Sequence, residues 1–387
     1  ALESLLERHG GVARELPGAD AALAWIERDA AELRRVLDGI AGRGPTPREY
    51  DAIASRGELW SSRLVAAALA GAGLPAEWVD ARSIVVTDDR FTRATPDLDR
   101  LGHRARERLL PPLEAGRVPV TQGFIGATAD GVPTTLGRGG SDFSASLLGA
   151  ALGAARVEIW TDVDGLMSAD PRIVPSAHTL PMATYEEAAE LATFGAKVLH
   201  PATQLPLAQA GIPIVVLNSA RPEHPGTTIA PAARLDLRGD SPVRAITWKQ
   251  GITVINVRTP RMLGTFGYLR RIFEVFERHE VVVDVIASTE VSVSLTIDDG
   301  AKLAPLARDL SALGEVTVDE HRAIVSVVGA GMRHTPGMAA RVFAAVRPAN
   351  VEMISQGASE ISITFVVRAE EGRDVVRRLH REFFGAD

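Results

Sequence analysis

Apolar positions over residues 1–40 recur at the helical period, at Leu2, Leu5 and Leu6 and then at Leu23, Ile26, Leu33, Val36 and Ile40. That spacing predicts helices. Gly42-Arg43-Gly44-Pro45 breaks the pattern, and Thr46-Pro47-Arg48-Glu49 is a capping box with proline at the first helical position. The helix it opens carries Ile53, Trp60, Leu64 and Leu69 on one face. Short β-type runs then alternate with helical ones. EWVD (77–80), SIVV (83–86), RVPVTQG (117–123), VEIWTD (157–162) and IPIVVL (212–217) predict strands, while 96–109, 141–154, 185–193 and 202–210 predict helices. Thr184-Tyr185-Glu186-Glu187 is a second capping box. Strands alternating with helices imply an α/β sandwich with a largely parallel sheet over residues 1–240, and the Pro- and Gly-rich stretch 221–242 reads as its exit.

Beyond residue 245 the pattern changes, and an internal repeat appears at an offset of 70 residues. Thr265-Phe266-Gly267 matches Thr335-Pro336-Gly337, Phe273 matches Phe343, and Ser288-Thr289-Glu290-Val291 matches Ala358-Ser359-Glu360-Ile361. Each copy reads strand–helix–strand–strand–helix. The first runs ITVINV, a helix from 266, VVVDVIAS, VSVSLTI and a helix from 301; the second runs AIVSVVG, a helix from 337, VEMISQG, ISITFVV and a helix from 370. Two small α+β sandwiches of the ferredoxin-like kind, 245–320 and 321–387, follow from one offset holding for glycine, phenylalanine and glutamate alike.

Bulk properties narrow the class. A chain of 387 residues exceeds one typical core. The 46% apolar and 24% charged fractions are those of an ordinary globular protein. A formal net charge of −7 with no basic cluster gives no nucleic-acid footprint. No apolar run approaches the roughly 18 residues that span a bilayer, and the start at Ala1, without Met, has no signal-peptide pattern. With no cysteine, disulfides and thiolate metal sites are excluded, and a cytoplasmic location is the compatible expectation.

The strongest chemical signal is TTLGRGGSD, Thr134 to Asp142, directly before the apolar helix. Gly137, Gly139 and Gly140 let backbone approach a ligand, and the loop delivers it to a helix amino terminus, which favours an anion. Arg138 adds a fork suited to carboxylate or phosphate. Ser141 and Asp142 fit either a ligand site or an ordinary cap and first turn. The loop matches neither a Walker A motif nor a dinucleotide fingerprint. A second signal is TDVDGLMSADPR (161–172) after the strand VEIW, at a strand's carboxyl end where open α/β sheets bind ligands. Asp162, Asp164 and Asp170 there fit a magnesium–nucleotide complex or plain turn chemistry equally. Lys197, in FGAKVLHPA, is placed to reach phosphates, and His200 reads as structural. Gly57 inside a helix costs roughly 1 kcal/mol against alanine, which points to close packing or a ligand contact. Its neighbour Glu58 is either an exposed helix glutamate or a partner for an ammonium group.

RGELWSS, TQGFIG, TTLGRGGSD, WTDVDGLMSADPR and ATFGAKVLHPA together resemble, in order, the aspartokinases of the amino-acid-kinase family, and the likeness runs through both repeats, which resemble ACT domains. The stretch 259–298 is most similar to the lysine-inhibited branch, and to the kinase part of fusions with diaminopimelate decarboxylase. The resemblance implies transfer of the γ-phosphoryl group of ATP, with Mg2+, to the β-carboxylate of L-aspartate. It implies that Arg138 grips the substrate carboxylate, that Glu58 meets its ammonium or side-chain groups, and that Phe124, Ser141 and Asp142 line that pocket. Thr161, Asp162, Arg172 and Lys197 match nucleotide positions; Arg138, Asp142 and Lys197 are the expected catalytic set. Met167 stands where many relatives carry a tyrosine.

For L-lysine as allosteric inhibitor, the matching positions are Met262, Thr265, Gly267, Tyr268, Leu269, Val283, Asp284, Ser288, Thr289 and Glu290, at the interface of paired first ACT domains in a homodimer or dimer of dimers. The family's opening strand with its Lys-Phe-Gly-Gly loop, and the strand after it, would fall before Ala1, so the chain as it stands is expected to be a crippled catalyst. Two other readings fit: a non-catalytic amino-acid sensor, and a kinase of glutamate or acetylglutamate.

Overall fold

The computed structural model describes residues 2–195, 198–236, 241–262, 264–298, 300 and 302–385. Two compact units form, one from residues 1–159 with 202–214, the other from 160–201 with 215–387.

In the first unit the early helical spacing becomes α1 (Leu2–Glu15), α2 (Asp20–Ile40) and α3 (Pro47–Gly71). The Thr46 capping box opens α3, with both reciprocal bonds made. Strand β1 (Ala76–Trp78) follows, but the expected strand at 83–86 is mostly a turn. Asp80 caps a short 3-10 segment at Ala81–Ser83 by accepting from the Arg82 amide at 3.0 Å, and only Val86–Thr87 extends, as β2. Helix α4 (Leu98–Glu114), β3 (Val118–Val120), β4 (Ile125–Thr128), β5 (Pro133–Thr135) and α5 (Gly140–Leu152) complete the run. β1 pairs parallel with β3 and β2 parallel with β4, while β5 returns antiparallel to β4. Ile26, Leu33, Leu59, Trp60 and Ile125 form a core between the first three helices and the strands; Ile84, Leu101, Leu109 and Leu147 form another beneath α4 and α5.

Strand β6 (Val157–Thr161) leads into the second unit, where β7 (Met182–Thr184) and α6 (Tyr185–Thr193) follow. Helix α7 (Pro201–Ala210) precedes β8 (Ile214–Asn218) and β9 (Thr227–Ala230), and the strand order is β6-β8-β9-β7. The repeats come next. The first comprises β10 (Ala245–Arg258), α8 (Tyr268–Arg278), β11 (Ile286–Ser288), β12 (Ser292–Asp298) and α9 (Leu303–Leu310). The second comprises β13 (Glu315–Val328), α10 (Met338–Ala345), β14 (Met353–Gln356), β15 (Ser362–Arg368) and α11 (Gly372–Phe384). β12 and β15 keep the offset seen in sequence, and Gly267 and Gly337, with φ of 73° and 79°, stand at the same place before their helices.

Both copies share one sheet, β11-β12-β10-β13-β15-β14. β10 and β13 are long strands that pair antiparallel from Ala245↔Val328 to Arg258↔Glu315, with irregularities near Gln250–Val254. β12 pairs with residues 252–258 of β10, and β15 with residues 322–328 of β13. Residues 245–250 therefore lie beside the second copy, although they precede the first. Gly251, at φ 73°, marks the change. Among the described residues, no helix is long and apolar enough to cross a membrane.

Candidate functional site

The glycine loop leaves β5 and enters α5 through two left-handed residues, Gly137 at φ 76° and Gly139 at φ 73°. A side chain is disfavoured at both. Gly139 is the cap and offers no side-chain acceptor, so Ser141 and Asp142 sit in the first turn and neither caps the helix. Arg138 is exposed on the loop and has no ion-pair partner among the described residues. The middle of the TQGFIG segment, Gly123-Phe124, presses against this helix mouth. A Cβ on Gly123 would stand 2.8 Å from Ser141 Cα, and one on Gly140 would stand 2.8 Å from Phe124 Cδ2.

Phe124 itself takes φ 69°, a conformation that costs an ordinary residue on the order of 1–3 kcal/mol and persists only where its surroundings over-determine it. Here its amide donates to Ser144 Oγ at 3.0 Å, its carbonyl accepts from Leu136 at 2.8 Å, and the Ser144 hydroxyl donates to the Gly140 carbonyl at 2.8 Å. Phe124 is thereby fixed to the mouth of α5. Ser144 was not legible as a site support; it reads as one more small residue of an apolar helix.

Glu58 lies on α3, two turns beyond Asp51, on a helix whose buried face also carries Ser55 and Ser62. Asp51 is fully buried and accepts three bonds, from the Thr92 amide (2.8 Å), the Thr135 amide (2.9 Å) and the Thr135 hydroxyl (2.7 Å). It thus ties α3 to the strand that leads into the glycine loop. A buried polar stripe at helical spacing was the available signal. Gly57 does not have the packing role its position suggested: a Cβ there would meet nothing within 4 Å. Burial pushes the pKa of both Glu58 and Asp142 upward, so each is a carboxyl in want of a cation.

In the second unit, the loop after β6 turns at Gly165. Its φ is 117°, and a Cβ would lie 2.3 Å from Thr227 Oγ1. Thr161 donates to Asp162 at 3.2 Å, and Asp162 is exposed. The other two acids are committed elsewhere. Asp164 accepts from Asn218 Nδ2 at 2.7 Å and pairs with Arg221. Asp170 is gripped by Arg172, with Nη2 at 2.7 Å and Nε at 2.9 Å, which lowers its pKa. Of the two readings the sequence left open, Asp164 and Asp170 follow plain turn chemistry, and no group of three metal-ligating side chains occurs among the described residues. A lone exposed carboxylate fits magnesium that arrives on nucleotide phosphates, and does not fit an all-protein cage. Arg172 is exposed apart from its grip on Asp170.

Lys197 lies outside the described residues. Phe194 and Gly195 are described. Phe194 shares a buried cluster with Ile252, Val254, Val285, Ile324 and Val366 of the repeat sheet. Its carbonyl accepts from Thr247 Oγ1 at 2.8 Å, and Gly195, at φ 130°, would place a Cβ 2.0 Å from the Trp248 carbonyl. Glu187 of the second capping box is also bonded beyond its helix, accepting from the Ala330 amide at 3.0 Å with Arg244 at 3.5 Å.

Among the sensor positions, Gly267 stands before α8 without a side-chain cap, and Thr265 and Leu269 are exposed beside it. Met262 and Val283 pack on the first repeat's core. The Tyr268 side chain belongs to that core and donates to the Leu313 carbonyl at 2.5 Å, so only its backbone is offered outward. Ser288, Thr289 and Glu290 are exposed at the edge strand, with the Thr289 hydroxyl 2.7 Å from Ser292 Oγ. Asp284 is not free: Lys249 Nζ lies 3.0 Å away.

This architecture is that of a known class. The amino acid kinase family model matches residues 4–218, and an ACT domain model matches residues 325–383. The chain is 39% identical to lysine-sensitive aspartokinase 3 of Escherichia coli over 91% of this chain and 81% of that one. It is 34% identical to the aspartokinase of Schizosaccharomyces pombe over 94% and 75%. The solved E. coli aspartokinase III with aspartate and ADP superposes at a TM-score of 0.86 and 37% identity, covering 99% of this chain and 86% of that one. The same enzyme with lysine and aspartate gives 0.79 at the same identity and coverage. The chain belongs to the amino acid kinase family, in its aspartokinase branch with ACT domains.

Proposed function

We propose that the protein transfers the γ-phosphoryl group of MgATP to the β-carboxylate of L-aspartate, giving 4-phospho-L-aspartate, and that L-lysine inhibits it through the first ACT repeat. The observation that carries this reading is Arg138, exposed on a left-handed glycine loop at the mouth of α5, which has no side-chain cap, in a chain similar to an enzyme solved with aspartate and ADP. A carboxylate nucleophile is already ionised near neutral pH and needs no general base, so catalysis reduces to positioning and charge neutralisation. Arg138 holds a substrate carboxylate. Glu58 and Asp142, both raised by burial, take the ammonium group. Phe124 and Ser141 shape the pocket wall. Thr161, Asp162, Arg172 and Lys197 serve the nucleotide, and magnesium enters with the phosphates as part of that substrate.

In the sensor, the carboxylate of lysine meets the start of α8 at Gly267–Leu269, where helix amides favour an anion. Its ammonium groups meet Asp284 and Glu290, with Met262, Thr265, Val283, Ser288 and Thr289 around them. Phe266, Val282 and Ile286 are exposed on this same repeat, and the open edge of β11 with these apolar side chains near it offers a surface for a second copy, which is the proposed homodimer.

Calorimetry with L-aspartate and L-glutamate tests the substrate. Aspartate should bind in clear preference, and Arg138→Ala should weaken it by about tenfold or more, as expected for losing a charge-assisted pair. Equal binding of the two acids, or an Arg138→Ala variant that binds aspartate normally, would remove this reading.

A further inference from the structure

Ser168 lies in the loop after β6 and is fully buried. Two imidazoles bracket its hydroxyl, His178 Nδ1 at 3.3 Å and His380 Nε2 at 3.1 Å, and the same oxygen accepts from the His178 amide at 3.0 Å. His380 belongs to α11, the last helix of the second repeat, and is 3% exposed. Its ring lies 4.7 Å from that of Phe384 and 6.4 Å from that of His178. The backbone of Ser168 is held as well, its carbonyl accepting from Ile246 at 2.8 Å and its amide donating to His178 at 2.9 Å. Five residues on, the Ile173 carbonyl accepts from Arg377 Nε at 3.1 Å. Between these bonds Ala169, Ile173 and Val174 share a core with Val375, Val376 and Leu379 of α11.

Residues 168–174 are thus seated on α11 by one polar bond at each end and an apolar patch between. A serine hydroxyl carries one proton, so it can donate to only one of the two imidazoles, and any hydrogen bond from the other requires that ring to donate. At a buried position such an arrangement tolerates little displacement, because a stray buried donor or acceptor costs about 1–3 kcal/mol.

We propose that His380 is a positioning residue for the nucleotide. By holding the Ser168 hydroxyl from beneath, it fixes the loop that runs from Asp162 to Arg172, so a helix of the regulatory repeat is a structural part of the nucleoside-triphosphate site. This rests on the reading of that loop as nucleotide-binding.

The test is calorimetric titration of the protein with MgADP, and separately with L-aspartate, for the wild type, His380→Phe, His380→Gln, Ser168→Ala and the double variant. His380→Phe and Ser168→Ala should each weaken MgADP by about fivefold or more, with aspartate affinity changed less than about twofold, as for loss of a supporting contact behind a binding group. His380→Gln, whose amide can still bond the hydroxyl, should recover most of the nucleotide affinity. The double variant should be no weaker than either single one. Wild-type MgADP affinity in folded His380→Phe and Ser168→Ala overturns the proposal, and so does a loss shared equally by MgADP and aspartate in every variant, glutamine included. A wild type that binds aspartate but no MgADP overturns the nucleotide reading of the loop, and the proposal with it.

Discussion

The ammonium of Lys249 is hydrogen-bonded to Asp284 at 3.0 Å, and it also reaches Asp298 at 2.6 Å. Burial pushes the Asp284 carboxyl up despite this partner. For Lys249 burial works the other way, yet the bonds to Asp298 and Asp284 outweigh it and raise its pKa. The carboxylate proposed to receive an effector's ammonium group therefore already holds one from its own chain. An incoming lysine must share Asp284 with a like charge. Lys249→Met should tighten lysine binding by up to about fivefold, the ~1 kcal/mol upper end for a solvent-screened charge pair. Weaker binding in calorimetry would mean that Lys249 organises the carboxylate for the effector, and unchanged binding that the effector does not share Asp284 with it.

Phe194 suggests how occupancy of the sensor is felt elsewhere. It shares a buried cluster with Val285, the neighbour of Asp284 in sequence, and its own carbonyl is tied to Thr247. It is also three residues before Lys197. Phe194→Ala should reduce the factor by which lysine weakens MgADP binding, from the 5- to 150-fold range typical of coupled sites, roughly, to near unity. Each ligand bound alone should change much less. Undiminished coupling in that variant would exclude this cluster as the link.

The pH dependence of substrate binding follows from Glu58 and Asp142. Burial raises both carboxyls above the ordinary range. A protonated carboxyl cannot pair with the substrate's ammonium group, so aspartate affinity should fall as pH drops from neutral toward those raised values. Binding releases protons in that window. Affinity that stays flat until the pH reaches ordinary carboxylate values would argue that neither group meets the ammonium.

Asp51 predicts a stability effect. Its removal strands the Thr135 amide and the Thr135 hydroxyl in a buried setting and takes away the partner of the Thr92 amide at a part-buried position. Asp51→Ala should cost about 3 kcal/mol or more in urea unfolding, whereas a loss below about 1 kcal/mol would show that the site relaxes around the gap.

These residues also show what a sequence carries. The boxes at Thr46–Glu49 and Thr184–Glu187 are local, with donor and acceptor three residues apart, and both formed as read. The 70-residue repeat was legible because each copy solves the same packing problem with the same spacing. The pairing of residues 245–250 with 323–328 was not legible, because AITWKQ lies ahead of the first copy and its partner is supplied by the second. Within the candidate site, the glycines and Arg138 announced themselves through residue type. Asp51, Lys249 and His380 did not, since their partners stand 84, 35 and 212 positions away. Phe124 was found by resemblance alone: a left-handed phenylalanine has no signature in composition or period. The three acids of the loop after β6 could not be assigned from sequence, because Asp is as good a turn residue as a ligand, and Asp164 and Asp170 here serve Arg221 and Arg172.

The most direct test of the account is calorimetric titration of the protein with L-lysine, alone and with MgADP and L-aspartate present. The account predicts that lysine binds, that Glu290→Ala weakens it, and that bound lysine lowers affinity for MgADP or aspartate by the same factor that they lower affinity for lysine. Absence of lysine binding, or binding with no effect on either substrate, would contradict it.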